Sequence, residues 1–172
     1  MYHLYMSMNT NLEIERKFLI NSSLYPWQGP QYYIVQGYAT DDTNCLVRFR
    51  YQECLQGQTA PQAFVTIKKF QSAGCNQEYE TALDASWALN VINSVCLWTL
   101  SKTRRHWLAP DGKTWHIDTF HDQNQGLVLA ELELSNLDEV FYRPSDLGPE
   151  VTGDRRYSNI QLAKNPWSTW QS

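Results

Sequence analysis

The acids Glu13 and Glu15, Glu78 and Glu80, and Glu131 and Glu133 each stand two residues apart, as do the bases Arg48 and Arg50, and Lys102 and Arg104. Lys17 extends the first pair to E-x-E-x-K, Lys68 follows Ile67, and Asp118 follows Ile117. Lys17, Arg48, Arg50, Lys68, Lys102 and Arg104 are suited to gripping a polyanion through charge-assisted hydrogen bonds. Glu13, Glu15, Asp118, Glu131 and Glu133 are hard oxygen donors suited to divalent cations. A phosphate chain carrying Mg²⁺ satisfies both sets, whereas a carboxylate ligand would leave the acids without a task.

Residues two apart share a face on a strand but point about 200° apart on a helix, so strands must carry these side chains. Eight segments have strand character: 11–20, 31–40, 44–52, 62–70, 75–83, 98–108, 113–122 and 127–135. In most of them the charged residues alternate with apolar ones such as Val47, Phe49, Ile67, Leu132 and Leu134. A polar side turned to water explains any single strand of this kind. It does not explain why the charges are sorted into acid pairs on the one hand and basic pairs or singles on the other. Like charges 5–7 Å apart cost up to about 3 kcal/mol at an effective dielectric of 20, which is tolerable only with opposite charge between them. The charged faces are therefore expected to turn inward, in a mainly β (α+β) fold: a closed eight-stranded antiparallel β-barrel with a polar lumen and a few flanking helices.

Between the fifth and sixth strands, DASWALNVINSVC places Ala85, Ala88, Leu89, Ile92 and Val95 at helical spacing behind a capping Asp84, which predicts a helix of about three turns. PDGK at 110–113 and QNQG at 123–126 read as hairpin connections, and a short helix is expected near 155–163. No repeat or long linker interrupts the chain.

A length of 172 residues suits one domain. The net charge of -4 and pI near 5.5 exclude a broad basic field for nucleic acid or anionic lipid, so an anion site must be concentrated. No apolar run approaches the roughly 20 residues that cross a bilayer, and residues 1–10 lack the pattern of a leader; a soluble, cytoplasmic protein is expected. Cys45, Cys54, Cys75 and Cys96 are too far apart for a metal knuckle, and His106, His116 and His121 lack a zinc spacing. The seven tryptophans, Trp167 and Trp170 among them, are read as packing and terminal anchors.

E-x-E-x-K alone arises by chance in roughly one chain in 25 of this length. It has company, however. E-I-E-R-K at 13–17, Q-G-Y at 36–38, V-R-F-R at 47–50, T-I-K at 66–68, E-Y-E at 78–80, K-T-R at 102–104, I-D-x-F at 117–120, L-A-E-L-E-L at 129–134 and E-V-T-G-D-x-R-Y at 150–157 occur in the order seen in CYTH-domain proteins, the triphosphate tunnel metalloenzymes. The chain resembles that family over about residues 11–165, leaving 1–10 as an extension and 166–172 as a tail, and it looks most like the small stand-alone inorganic triphosphatases. The resemblance implies an eight-stranded tunnel binding a triphosphate-containing small molecule with Mg²⁺ or Mn²⁺, and hydrolysis of tripolyphosphate to pyrophosphate and phosphate. By motif, Glu13, Glu15, Asp118, Glu131 and Glu133 would bind metal. Arg48, Arg50, Lys68, Lys102, Arg104 and Arg156 would bind phosphates, and Lys17 and Tyr38 would position the attacking water. Glu78 and Glu80 are read as partners that orient the arginines. Members of the family often form homodimers; neither nucleic acid nor membrane is an expected partner. Related activities are a hydrolase or cyclase acting on a nucleoside or thiamine triphosphate, with a base platform at Trp107 or Trp115, and a non-catalytic polyphosphate-binding module.

Overall fold

The computed structural model describes residues 14–20, 28–41, 45–70, 76–136 and 138–170. Glu13, Cys75 and the 1–10 extension lie outside them. Strands β1 (Ile14–Ile20), β2 (Gln31–Asp41), β3 (Cys45–Cys54), β4 (Gln62–Phe70), β5 (Asn76–Leu83), β6 (Trp98–Leu108), β7 (Thr114–Phe120) and β8 (Val128–Leu134) match the eight expected segments. A ninth, β9 (Leu147–Glu150), was not expected; its sequence LGPE has neither alternation nor β-branched residues. Helix α1 (Ala85–Ser94) begins at Asp84, whose carboxylate accepts from the Trp87 N–H at 2.8 Å. Helix α2 (Asn159–Lys164) follows a 3-10 turn at Arg155–Tyr157. No helix among the described residues is long and apolar enough to cross a membrane.

All nine strands form one antiparallel sheet in the order β5-β4-β3-β2-β6-β7-β8-β1-β9. This corrects the expectation of a closed eight-stranded barrel. The outer edge of β1 is taken by β9, so β1 and β5 do not pair, and the order ends at β5 on one side and β9 on the other. The sheet nevertheless curls. The charge of Glu131 on β8 is felt by Tyr38 on β2, and that of Glu15 on β1 by Arg104 on β6, with two strands intervening each time. On a flat sheet those strands would stand about 14 Å apart.

Register sorts the side chains. Lys17 pairs with Glu131, Glu131 with His116, Arg104 with Asp118, and Tyr38 with Arg48, so the charged residues share the concave face. On the convex face Phe18, Trp115, Ile117, Ala130, Leu132 and Leu134 form one core, covered by Phe141 and Leu147. A second core lies on the concave face itself, where Leu100, Phe120 and Leu129 meet Tyr157 and Leu162, with Trp167 and Trp170 behind. The C-terminal segment thus fills one end of the concavity. Asn124 ties it down: its amide donates to the Leu162 carbonyl at 3.1 Å, and its carbonyl accepts from the Trp167 N–H at 2.8 Å. In the PDGK connection Ala109 and Lys113 close the turn, and Gly112 supplies the φ of +82° that other residues resist.

Candidate active site

The site is assembled from alternate residues of eight strands, β1 to β8, because a strand repeats its face every second residue and the curl aims those faces at one another. Its centre is a linked set of acids and bases. Lys17 Nζ lies 2.8 Å from Glu15 and 2.5 Å from Glu131. Arg104 grips both Asp118 oxygens at 2.7 Å and reaches Glu131 at 2.5 Å. Lys102, only 1% exposed, donates to Asp118 at 2.5 Å and to Asn159 of α2 at 3.2 Å.

Burial opposes charge throughout this set, and the pairing decides each outcome. Desolvation would raise the Asp118 carboxyl, but Arg104 and Lys102 outweigh it and hold Asp118 well below the carboxylate range. Glu131 goes the same way: desolvation and Asp118 push it up, and Lys102, Arg104 and Lys17 together bring it down. Lys102 is lowered, by desolvation first and then by the like charge of Arg104, because one carboxylate serves two cations. Lys17 is raised, since Glu131 and Glu15 overcome its desolvation, so it is an ammonium at neutral pH. Glu15 is raised by desolvation and by the charge of Glu131, which Lys17 only partly offsets.

The second half of the site lies on β3 and β4. Arg48 donates to Thr66 at 3.0 Å, and Glu80 bridges Arg48 at 3.4 Å and Arg50 at 3.3 Å. Lys68 pairs with Glu78 at 3.4 Å near the open edge. The Nε atoms of Arg48 and Arg50 are buried without a hydrogen-bond partner among the described residues. Burial, and then the like charges of Arg48 and Arg104, lower Arg50 despite Glu80. Buried guanidinium donors left unpaired and repelling one another are a place prepared for an anion. Tyr38, 2% exposed, donates to Gln36 at 3.2 Å; desolvation raises its hydroxyl well above the usual tyrosine value, so it stays protonated.

Glu133 stands at the rim of this set, and other expected residues lie apart from it. Glu133 is exposed opposite Glu15. Arg156 is two-thirds exposed, paired with Asp154 at 2.6 Å and stacked over Trp170. Trp115 is fully buried in the convex core, and Trp107 packs against Tyr142, so neither offers a platform for a base. His116 accepts from Arg104 at 3.3 Å and stacks on His106, contacts that no motif announced.

As a cation site the donors fit in kind: Glu15 and Glu131 are carboxylates that both reach the Lys17 ammonium and so lie close to one another. Among the described residues no three such donors are grouped, and both Asp118 oxygens are engaged with cations.

No family model matches the chain. An inorganic triphosphatase of Acetivibrio thermocellus is 31% identical over 159 residues, covering 92% of this chain and 97% of the relative. One of Nitrosomonas europaea is 33% identical over 162 residues, covering 88% and 96%. The crystal structure of the inorganic triphosphatase NE1496 superposes with a TM-score of 0.66 at 32% identity, covering 88% of this chain and 93% of that one. With identities of 31% and 33% carried along nearly the whole of both relatives, the chain belongs to the inorganic triphosphatase family.

Proposed function

We propose that the protein hydrolyses tripolyphosphate to pyrophosphate and orthophosphate on the concave face of the sheet, as a CYTH-type tunnel enzyme dependent on Mg²⁺ or Mn²⁺. The observation that carries this reading is the pair of Arg48 and Arg50 Nε donors, buried and without a partner among the described residues, on the same concave face that carries Lys17, Glu15 and Glu131. In the reaction a water oxygen bonds to the terminal phosphorus, the bond from that phosphorus to the bridging oxygen breaks with its electrons leaving on pyrophosphate, and the proton the water gives up passes to solvent or to the products. Positioning and charge neutralisation supply most of the acceleration.

Arg48, Arg50 and Arg104 hold the phosphates, with Lys68 and Lys102 at either side, and take up the charge that develops on the departing pyrophosphate. The Lys17 ammonium, protonated at neutral pH, is a donor rather than a base and orients the water through its oxygen. Tyr38, also protonated, adds a second fixed dipole. Glu15 and Glu131, joined by Glu13 and Glu133, would hold the metal; Asp118 anchors Arg104 and Lys102 and would join them only by releasing one of these bonds. A bound divalent ion would polarise the phosphoryl oxygens and lower the pKa of the hydrolytic water.

Phosphate release from tripolyphosphate, ATP, thiamine triphosphate and long-chain polyphosphate, with and without Mg²⁺, tests the reading. Tripolyphosphate is expected to be preferred, and Lys17→Ala or Glu133→Ala to abolish the Mg²⁺-dependent release. Full activity in either variant would reject the site assignment.

A further inference from the structure

The E-V-T-G-D-x-R-Y segment does more than lead into α2. It returns along the outer edge of β1 and meets Lys17 from behind. The Lys17 N–H donates to Thr152 Oγ1 at 2.9 Å, and the Lys17 carbonyl accepts from the Val151 N–H at 2.9 Å. The Thr152 hydroxyl donates in turn to Glu150 Oε1 at 2.6 Å. Glu150 receives the fork of Arg16: Nη2 donates to Oε2 at 2.5 Å, and Nε donates to Oε1. The guanidinium itself is steadied over Phe18 and Phe141.

Arg16 and Lys17 are neighbours on opposite faces of one strand, so a clamp on the convex side sets the backbone from which the ammonium projects on the concave side. A hydroxyl can accept from one group while donating to another, which is what Thr152 does; valine has the same shape and can do neither. Thr152 is the link because it joins the Lys17 main chain to the Arg16–Glu150 pair through a single atom.

We infer that Thr152 and Glu150 are positioning residues for catalysis, fixing the reach of the Lys17 ammonium between Glu15 and Glu131 through the hydrogen-bond chain Lys17 N–H, Thr152, Glu150, Arg16. The inference rests on the proposed role of Lys17. A displacement of about 1 Å at a catalytic group can cost about 100-fold in rate, so the effect belongs in kcat, while KM follows the phosphate-binding Arg48, Arg50 and Arg104, which are not members of the clamp.

Steady-state hydrolysis of tripolyphosphate by the full chain tests this, with Tm measured on every variant. Thr152→Val is expected to lower kcat about 10-fold or more with KM within about twofold, and Thr152→Ser to restore most of it. A folded Thr152→Val with wild-type kcat, a loss confined to KM, or equal losses in the Val and Ser variants would overturn the inference. Should Thr152→Val fail to fold, Glu150→Gln decides: a fall in kcat supports the clamp, and an unchanged kcat refutes it. Lys17→Ala is assayed alongside. If it keeps activity, the reading of Lys17 itself fails; if it is dead while Thr152→Val is fully active, the clamp alone fails.

Discussion

Asp118 is the residue on which the basic half of the site turns. It is fully buried and shared by Lys102 and Arg104, whose charges hold its carboxyl below the ordinary range in spite of desolvation. A carboxylate depressed by folding contributes stability that is complete above its unfolded value, near 4, and is lost as pH falls through the lower folded value. The Tm of the wild-type protein is therefore expected to fall as pH drops below about 4. Asp118→Asn should lose much of that dependence and unfold about 6–20 °C lower at pH 7, because removing the shared partner strands the buried Lys102 and weakens the hold on Arg104 at a cost of roughly 3–5 kcal/mol. Thermal melts from pH 2.5 to 8 measure both effects; equal melting curves at pH 7 would show that the pairing carries no stability. Most of these site residues were legible from their spacing alone. What spacing could not show is which acid meets which base: Glu131 pairs with both Lys17 and Arg104, and those three are far apart in the chain.

At the scale of elements, the glycine of Q-G-Y has a packing reason. Gly37 lies on the convex face of β2, where a Cβ would come within 2.6 Å of Cys96 Sγ and 3.1 Å of Ile92 in the segment formed by α1 and its exit. The bare position lets the helix pack closely over β2, β3 and β4. Gly37→Ala is expected to destabilise by about 1–3 kcal/mol, a drop of about 2–12 °C in Tm. Adding Cys96→Ala, which removes the sulfur, should recover part of the loss. Thermal melts of the single and double variants check this; no recovery would place the strain elsewhere. The helix itself was readable from its apolar spacing and from Asp84, which caps it as expected. Strand β9 was not readable, since its pairing with β1 depends on a partner distant in sequence and its own four residues carry no periodicity.

In the whole molecule the C-terminal segment decides how much of the concave face is site and how much is core. Leu162 and Tyr157 convert one end of a polar surface into a second apolar cluster, and Asn159 brings α2 into contact with Lys102. Asn124 is the buried bolt of this arrangement, satisfying two main-chain groups of the returning segment. Asn124→Ala leaves a buried carbonyl and a partly buried N–H without partners, at a cost of about 1–3 kcal/mol each. Faster amide exchange confined to residues 159–170 and a lower Tm are expected; unchanged exchange there would mean the aromatic packing of Trp167 and Trp170 holds the segment unaided.

Local chemistry settled a great deal in advance. Period-two alternation fixes strands and faces, the sorting of acids from bases requires those faces to converge, and capping and turn residues mark where strands give way to helix and hairpin. Whether the sheet closes was decided elsewhere. An edge pairs with whatever backbone reaches it first in space, and here β9 occupies the edge of β1 that a barrel would have offered to β5. Pair identities within the site, the clamp behind Lys17 and the filling of the concavity are likewise tertiary outcomes. Each joins residues from distant parts of the chain, and side-chain spacing along one strand holds no information about the strand across the fold.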